Sequence, residues 1–363
     1  MQRKNEPRST GKSSRRVAQD LAEFLRREIE TGSVRPGNFL PSVRELMKEH
    51  GSASLTVQRA LKRLEEEGLV AAEPRQGYRV LQQGAAAFAG QRVSFVLSSW
   101  CEPGTGGGFS RELTSLLQDG AEARGMRLTT LVIGRESAAE TLKRVRAEGS
   151  GGIILDTAYP ELAELAGRAG IGVVVVDSWA RGAEFDAVVQ DDFNGGQMVG
   201  EYLASRGHKR IGWLGPENRD QHYRERRGGV EIGLSEAGMT LGRSCDVDFD
   251  SGELHEAAQV MLTGKNRPTG VCALWTRAAS ALKEAGLEAG LKLGEDLEIV
   301  TWTTEENYEV QGSKHGSGMP TVVWSLRAMA DAALSRLAAR MADPGISVVR
   351  VNIPTRLVGV AGD

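Results

Sequence analysis

The sequence predicts two domains of different class. An α+β head of three short helices and a hairpin spans residues 15–82, and an α/β domain of two lobes built on parallel sheets spans 92–363. Three observations carry this. Apolar residues in the first eighty or so positions recur at helical spacing and then give way to two short β-rich runs. From residue 92 onward, β-branched runs alternate with helical stretches, which is the pattern of parallel strands covered on both faces. Charge divides at the same place, with 16 Lys/Arg against 11 Asp/Glu up to Gln82 and 29 against 37 beyond it.

The elements of the head follow in order. Residues 1–14 form a basic tail in which Arg3, Lys4, Arg8 and Lys12 face Glu6 alone. Val17, Ala18, Leu21, Phe24, Leu25 and Ile29 mark a first helix, which Gly32 and Pro36-Gly37 end. Ser42 and Glu45 have the spacing of a capping box and open a second helix, with Val43, Leu46 and Met47 inward and Gly51 as its stop. A third helix is signalled by Val57, Ala60, Leu61 and Leu64. Its opposite face carries Arg59, Lys62 and Arg63, and Ser54, Thr56 and Gln58 lie near its start. Leu69 to Ala72, a turn at Pro74–Gly77 and Tyr78 to Leu81 then read as a two-stranded hairpin.

Three helices followed by a hairpin make a winged helix-turn-helix. An exposed helix start bearing Ser, Thr and Gln can enter the major groove and read base edges. On this reading Ser54, Thr56 and Gln58 face bases, Arg44 and Arg59 hold phosphates on either side, and Arg63 belongs to the same DNA-binding set. Arg75 and Gly77 form the wing tip. The order and spacing resemble the GntR family of bacterial transcription regulators, carried by "IETGSVRPGNFLPSVREL", "LTVQRALKRLEEEGLV" and "RQGYRV". The chain departs from that family at Ala53-Ser54, where relatives carry Ser-Arg, so a contacting arginine is missing.

Residues 83–91 are uncharged and small, suiting a linker that is either a short helix or a flexible strap. Beyond them, strand-like runs fall at Val93–Leu97, Leu128–Ile133, Gly152–Leu155, Val173–Val176, Arg210–Leu214, Gly270–Leu274, Leu297–Thr301 and Thr321–Val323. A domain this long favours two sheets facing across a cleft over one very wide sheet. The expected crossings between lobes lie near 188–192, 318–324 and 344–348. In such sheets ligands bind beyond the strand carboxyl ends. Trp100, Trp179, Trp275, Trp302 and Trp324 all fall at or just past such an end, with Trp213 in mid-strand. Their rings either line a pocket for a flat ligand or pack the interface between the lobes.

This domain resembles the LacI/GalR-type sensor, itself similar to periplasmic sugar-binding proteins. The stretch that carries the likeness is "VVVVDSWARGAEFDAVVQDDFNGGQMVGEYLASRGHKRIGWLGPENRDQHYRERRGGVEIGLSEAG". The resemblance implies that Asp177 and Arg226 contact effector hydroxyls or carboxylates and that Ser98 and Ser99 add polar contacts. Trp100, Trp179, Trp275, Thr303 and Trp324 complete the expected set. Two departures stand out: Trp275-Thr276 replaces the Asn-Asp of relatives, and Trp302-Thr303-Thr304 replaces a segment bearing Asp. His208 reads as a turn residue and not a ligand.

Composition excludes several classes. Cys101, Cys245 and Cys272 are scattered without a CxxC, and five histidines form no ligand spacing, so neither disulfides nor a metal is expected. The run Gly104–Gly108 lacks the Lys-Ser/Thr of a phosphate loop. No apolar run reaches the roughly 18 residues of a membrane span. The basic start has no apolar core behind it, so a cytoplasmic location is expected. No catalytic constellation and no cofactor site is found, and an enzyme ranks last. The expected function is a transcription regulator, a repressor, that binds double-stranded operator DNA as a homodimer and responds to a small molecule, with an atypical sugar, a less polar molecule or no effector at all left open. The alternative is a solute-binding receptor of a transport system without DNA function.

Overall fold

In the computed structural model the described residues are 14–30, 34, 38–66, 69–73, 77–80, 90–98, 108–157, 159–179, 184–216, 221–247, 252–315 and 319–360. Arg75, Ser99, Trp100, Cys101, the run 104–107 and the linker positions 83–89 lie outside them. The chain divides into two compact units, Met1–Arg92 with Gln118–Leu128, and Val93–Leu117 with Thr129–Asp363.

The head contains α1 (Ser14–Glu30), α2 (Val43–His50), α3 (Ser54–Glu66), β1 (Val70–Glu73) and β2 (Gly77–Val80). Leu21, Leu25, Leu46, Val57, Leu61, Leu64 and Val80 meet in one core. The capping box is formed, with Ser42 N donating to Glu45 Oε2 at 2.7 Å and Glu45 N donating to Ser42 Oγ at 3.3 Å. Gly51 closes α2 at φ 59°, a conformation that costs glycine nothing. β1 and β2 pair antiparallel, as the hairpin requires. The wing gains an edge the sequence did not suggest. Leu40 N donates to Tyr78 O and Val80 N to Asn38 O, both at 2.8 Å, so the segment before α2 joins β2.

The second unit holds two six-stranded sheets. The first has the order β13-β7-β6-β5-β3-β4, formed by Arg350–Ile353, Asp186–Gln190, Gly172–Val176, Gly152–Leu155, Arg92–Ser98 and Arg127–Ile133. The second has the order β14-β12-β11-β10-β8-β9, formed by Thr355–Val358, Thr321–Trp324, Glu298–Thr304, Gly270–Ala273, Ile211–Leu214 and Leu241–Cys245. β14 runs antiparallel to β12. β7, β9, β13 and β14 were not anticipated. β9 is only half-buried, and β13 and β14 are short edge strands, so none shows the continuous apolar run that marks an inner strand.

The chain leaves the first sheet through α7 (Asp192–Ser205) and returns after β12 through α12 (Leu326–Ala342). The third passage lies between β13 and β14, at Pro354, and so falls later than the expected 344–348. Buried Asp186 pins α12 to the first sheet, accepting from Arg336 Nη2 and Arg340 Nε at 2.9 Å each and from Val349 N at 2.9 Å. At the passage itself, Asp191 N donates to Ile353 O at 2.9 Å and Thr355 Oγ1 to Asp191 O at 3.2 Å.

One helix crossing shapes the interior of this unit. α7 packs against α8 (Gln221–Glu236) through Gly196 and Gly200 on one side and Gly229 and Gly233 on the other. A Cβ at Gly196 would lie 2.1 Å from Arg226 O, and one at Gly229 would lie 2.1 Å from Phe193 O. Only glycine lets the two backbones approach this closely, and the approach sets the side chains of α8 against the first turn of α7.

Candidate functional site

In the head, α3 separates its two faces sharply. Val57, Ala60, Leu61 and Leu64 are fully buried, while Leu55, Gln58, Arg59, Lys62 and Arg63 are exposed. Arg44 on α2 is exposed and Ser54 half-buried. Thr56 corrects the sequence reading. It is buried, because position 56 lies one helical turn before Ala60 on the core face. The outward place near the helix start belongs instead to Leu55, which is 58% exposed and would suit the methyl group of thymine. Gly77 opens β2 at φ 119°. Arg75 lies outside the described residues.

α3 begins without a side-chain cap. Ala53 O accepts from Thr56 N at 2.9 Å and from Val57 N at 3.1 Å, but its methyl group offers the first-turn N–H groups nothing.

In the second unit, the carboxyl ends of β6 and β7, the start of α7 and the first turns of α8 bring together four charged side chains. Arg226 is wholly buried and donates from Nε to Asp192 Oδ1 at 2.6 Å. Asp192 Oδ2 lies 2.5 Å from His222 Nδ1. His222 Nε2 bonds the backbone carbonyl of Asp177 and stands 3.8 Å from Asp177 Oδ1. Gln190 Nε2 lies 3.2 Å from His222 Nδ1, which donates to Asp192 and so does not accept from the amide. Sequence reading placed Asp177 and Arg226 here and missed Gln190, Asp192 and His222. His222 stands four residues before Arg226 on one face of α8, a spacing that could have pointed to it, whereas Asp192 gave no sign of contact, since the glycine crossing of α7 and α8 brings it to them.

The electrostatics follow from the pairing. Burial works against a charged His222, yet the carboxylates of Asp177 and Asp192 raise its pKa to about 9, so it is an imidazolium at neutral pH with two acceptors for its two N–H groups. Burial likewise opposes the charge on Asp192, but Arg226 and His222 hold its carboxyl below the usual range. Asp177 is pushed upward by burial, against the attraction of His222.

Indole rings surround the guanidinium. Its carbon lies 4.2 Å from the Trp275 ring centroid, 5.5 Å from that of Trp324 and 5.9 Å from that of Trp302. Trp324 ends β12 and is buried; Trp302 lies inside β11 and not beyond its end, because that strand runs on to Thr304. Arg226 Nη1 and Nη2, Asp177 Oδ1, and the indole nitrogens of Trp179, Trp302 and Trp324 are buried without a hydrogen-bond partner. A buried donor left unmade costs about 1–3 kcal/mol. Asp177 and Trp275 are, among the described residues, the non-glycine positions with positive φ, 53° and 66°. Strained backbone of this kind gathers at functional sites.

The remaining expected residues are engaged elsewhere. Ser98 is buried and bonds Asp156 through both N and Oγ, at 3.0 and 3.1 Å. Thr303 Oγ1 accepts from Asn307 Nδ2 at 2.6 Å. Trp179 is half-buried with Arg350 stacked 4.3 Å from its ring, and Arg350 pairs with Glu225. His208 bonds Thr269 at 3.0 Å and faces buried Glu298, the structural turn role expected of it. Among the described residues no His/Cys/Asp/Glu group is arranged to hold a metal, and no helix is long and apolar enough to cross a membrane.

A winged helix-turn-helix joined to a two-lobed α/β domain is the architecture these elements define. Residues 17–80 match the family described as bacterial regulatory proteins, gntR family, and residues 201–359 match the periplasmic binding protein-like domain. The HTH-type transcriptional repressor PurR of Shigella dysenteriae is 33% identical over 193 residues, covering 49% of this chain and 55% of its own. PurR of Yersinia enterocolitica is 32% identical over 164 residues, covering 43% and 48%. The chain thus spans about half the length of the curated relatives it matches. Among solved structures, a LacI family transcriptional regulator from Enterococcus faecium with bound ribose aligns at TM-score 0.60 and 21% identity, over 74% of this chain and 97% of its own. The lac repressor dimer bound to operator and an anti-inducer aligns at 0.62 and 16%, over 76% and 95%. At these identities the likeness is one of fold.

These relatives correct one expectation. The sequence reading took the chain for a GntR-type head fused to a separate LacI/GalR-type sensor. The PurR relatives and the LacI structures support a single continuous LacI/PurR-type fold and not a fusion of two separate family domains. The gntR match is confined to residues 17–80, where it describes the local winged-helix pattern of the head.

Proposed function

We propose that this protein is a DNA-binding transcription repressor, acting as a homodimer, whose operator affinity is set by a small molecule held between the two lobes of its second unit. The observation that supports this most directly is the division of α3. Its apolar face is sealed into the head, and its outward stripe of Leu55, Gln58, Arg59, Lys62 and Arg63 is offered to solvent. Gln58 suits the donor and acceptor pair on an adenine edge, and the cations suit flanking phosphates. Arg44, Ser54 and the wing glycine Gly77 extend this surface, with Arg75 in the same turn of sequence. A two-fold dimer would present two such helices to the halves of a palindromic site.

The effector side rests on Arg226 and Asp177, with Trp275 and Trp324 as aromatic walls. Closure of the lobes on a ligand changes operator affinity, and by linkage operator changes ligand affinity by the same factor. Selection of genomic fragments with the purified chain tests the proposal. A recovered sequence with two-fold symmetry, bound in preference to bulk competitor with a steep salt dependence, supports it. Failure to enrich any fragment at moderate salt would overturn it in favour of a solute receptor without DNA function.

A further inference from the structure

We propose that Trp275 is an internal plug over Arg226, and that the ligand displacing it is a flat aromatic carboxylate. This deepens, and rests on, the effector role proposed for the same cluster. Arg226 has given its Nε to Asp192 and keeps Nη1 and Nη2 buried without partners. A guanidinium presents those two groups as a fork that matches the two oxygens of a carboxylate. The indole nitrogens of Trp302 and Trp324 are further unmet donors. Acceptors are scarce by comparison. Among the described residues of the cluster, the unmet acceptors are Asp177 Oδ1 and Gln190 Oε1, against four unmet donors on Arg226, Trp302 and Trp324, while both oxygens of Asp192 are engaged by Arg226 and His222 and Thr303 Oγ1 already accepts from Asn307. A polyol needs acceptors for its own hydroxyl protons as well as donors, and this cluster supplies mainly donors. An acceptor-rich ligand fits it better.

Shape points the same way. The guanidinium is walled by the rings of Trp275, Trp302 and Trp324, and the Trp275 and Trp324 rings meet at 6.1 Å with a 60° tilt. Planar rings pack on such walls. Trp275 itself covers the fork, its centroid 4.2 Å from the guanidinium carbon. It does so from a left-handed backbone, φ 66°, that a bulky residue adopts only under strain. Trp275 also opens α10 (Trp275–Glu288), which has no side-chain cap, so the positive end of that helix adds to the preference for an anion. The indole occupies the position of an aromatic ring while lacking the acceptors that ring should carry.

The test uses the full chain and three probes of graded chemistry: indole-3-carboxylate, indole and D-ribose. Calorimetry is expected to show indole-3-carboxylate binding at least tenfold more tightly than either of the others, with a change in tryptophan fluorescence. The variant Trp275→Asn, in which asparagine accepts the left-handed conformation, vacates the ring position. It is expected to melt no lower than the parent and to bind indole-3-carboxylate about tenfold more tightly. Ribose binding that exceeds indole-3-carboxylate binding would overturn the ligand class. Unchanged or weaker probe binding by a stably folded Trp275→Asn would overturn the plug. Operator binding is measured on the same preparations: if it persists while all probes fail, the inference falls and the regulator reading stands.

Discussion

α3 and α8 each carry arginines, and they treat them in opposite ways. α3 turns Arg59 and Arg63 outward over a sealed apolar face, whereas α8 buries Arg226 completely and gives it a buried carboxylate. An exposed cation keeps much of its water and can exchange one partner for another, which suits a phosphate backbone whose charge is the same at every step. A buried cation tolerates no such freedom, because it is stable only with its partner in place and so specifies one geometry. The first arrangement suits reach, the second selectivity. Substitutions in the two helices should therefore fail in different ways.

The largest expected effect is at the buried cluster. Asp192→Ala removes the acceptor of both Arg226 and His222 and should lower unfolding free energy by about 3–5 kcal/mol in denaturant titration. A loss within the ordinary surface range of about 0.5 kcal/mol would show that water reaches the cluster and that the contrast with α3 is false. Next comes pH. His222 has a folded pKa of about 9 against an ordinary value of 6.5, so its contribution is fully present below about pH 6.5. That contribution is lost as pH rises through about 9, an order-of-magnitude change of roughly 3 kcal/mol. Thermal melts between pH 6.5 and 9.5 should fall accordingly, and His222→Gln should flatten that fall.

The same contrast explains what the sequence could tell. The head was legible almost throughout, because Val57, Ala60, Leu61 and Leu64 announce a helix and its buried face by period alone, and Ser42 with Glu45 announces a helix start. Thr56 was misplaced, since a threonine one turn before Ala60 sits at the margin of the apolar stripe. The inner strands of both sheets were equally plain except β7, whose short Ala187–Val189 run is flanked by Asp186 and Gln190. The cluster was not. Asp192 meets His222 and Arg226 because glycines let α7 and α8 touch, and close backbone approach leaves no mark in hydrophobic period. Trp302 was misplaced because β11 continues to Thr304 through threonines and a tryptophan that serve equally well in a strand or beyond one.

For α3 the expected losses are in DNA binding, with stability unchanged. Arg59→Ala should weaken binding evenly across sequences and reduce the slope of log affinity against log salt by about one. Gln58→Ala should instead relax discrimination at one base pair, by about 1–3 kcal/mol, and leave the slope alone. Competition assays with single-base operator variants at two salt concentrations separate the two. Equal loss of specificity from both would mean that the outward stripe is not divided between phosphate and base contacts.

The smallest effect is the most diagnostic of how α3 starts. Ala53 is the N-cap residue, and its side chain cannot accept from the first-turn N–H groups, whereas the Ser42 side chain caps α2. Ala53→Ser should therefore stabilise the head by about 1 kcal/mol. The alanine nevertheless leaves the positive end of the helix without a side-chain cap, where a DNA phosphate would be favoured. If α3 meets operator through its N-terminus, the serine hydroxyl competes with that phosphate. Melting temperature should then rise while operator affinity falls. A rise in both would place the phosphate contacts along the flank of α3, on Arg59 and Lys62, and leave the helix start to water.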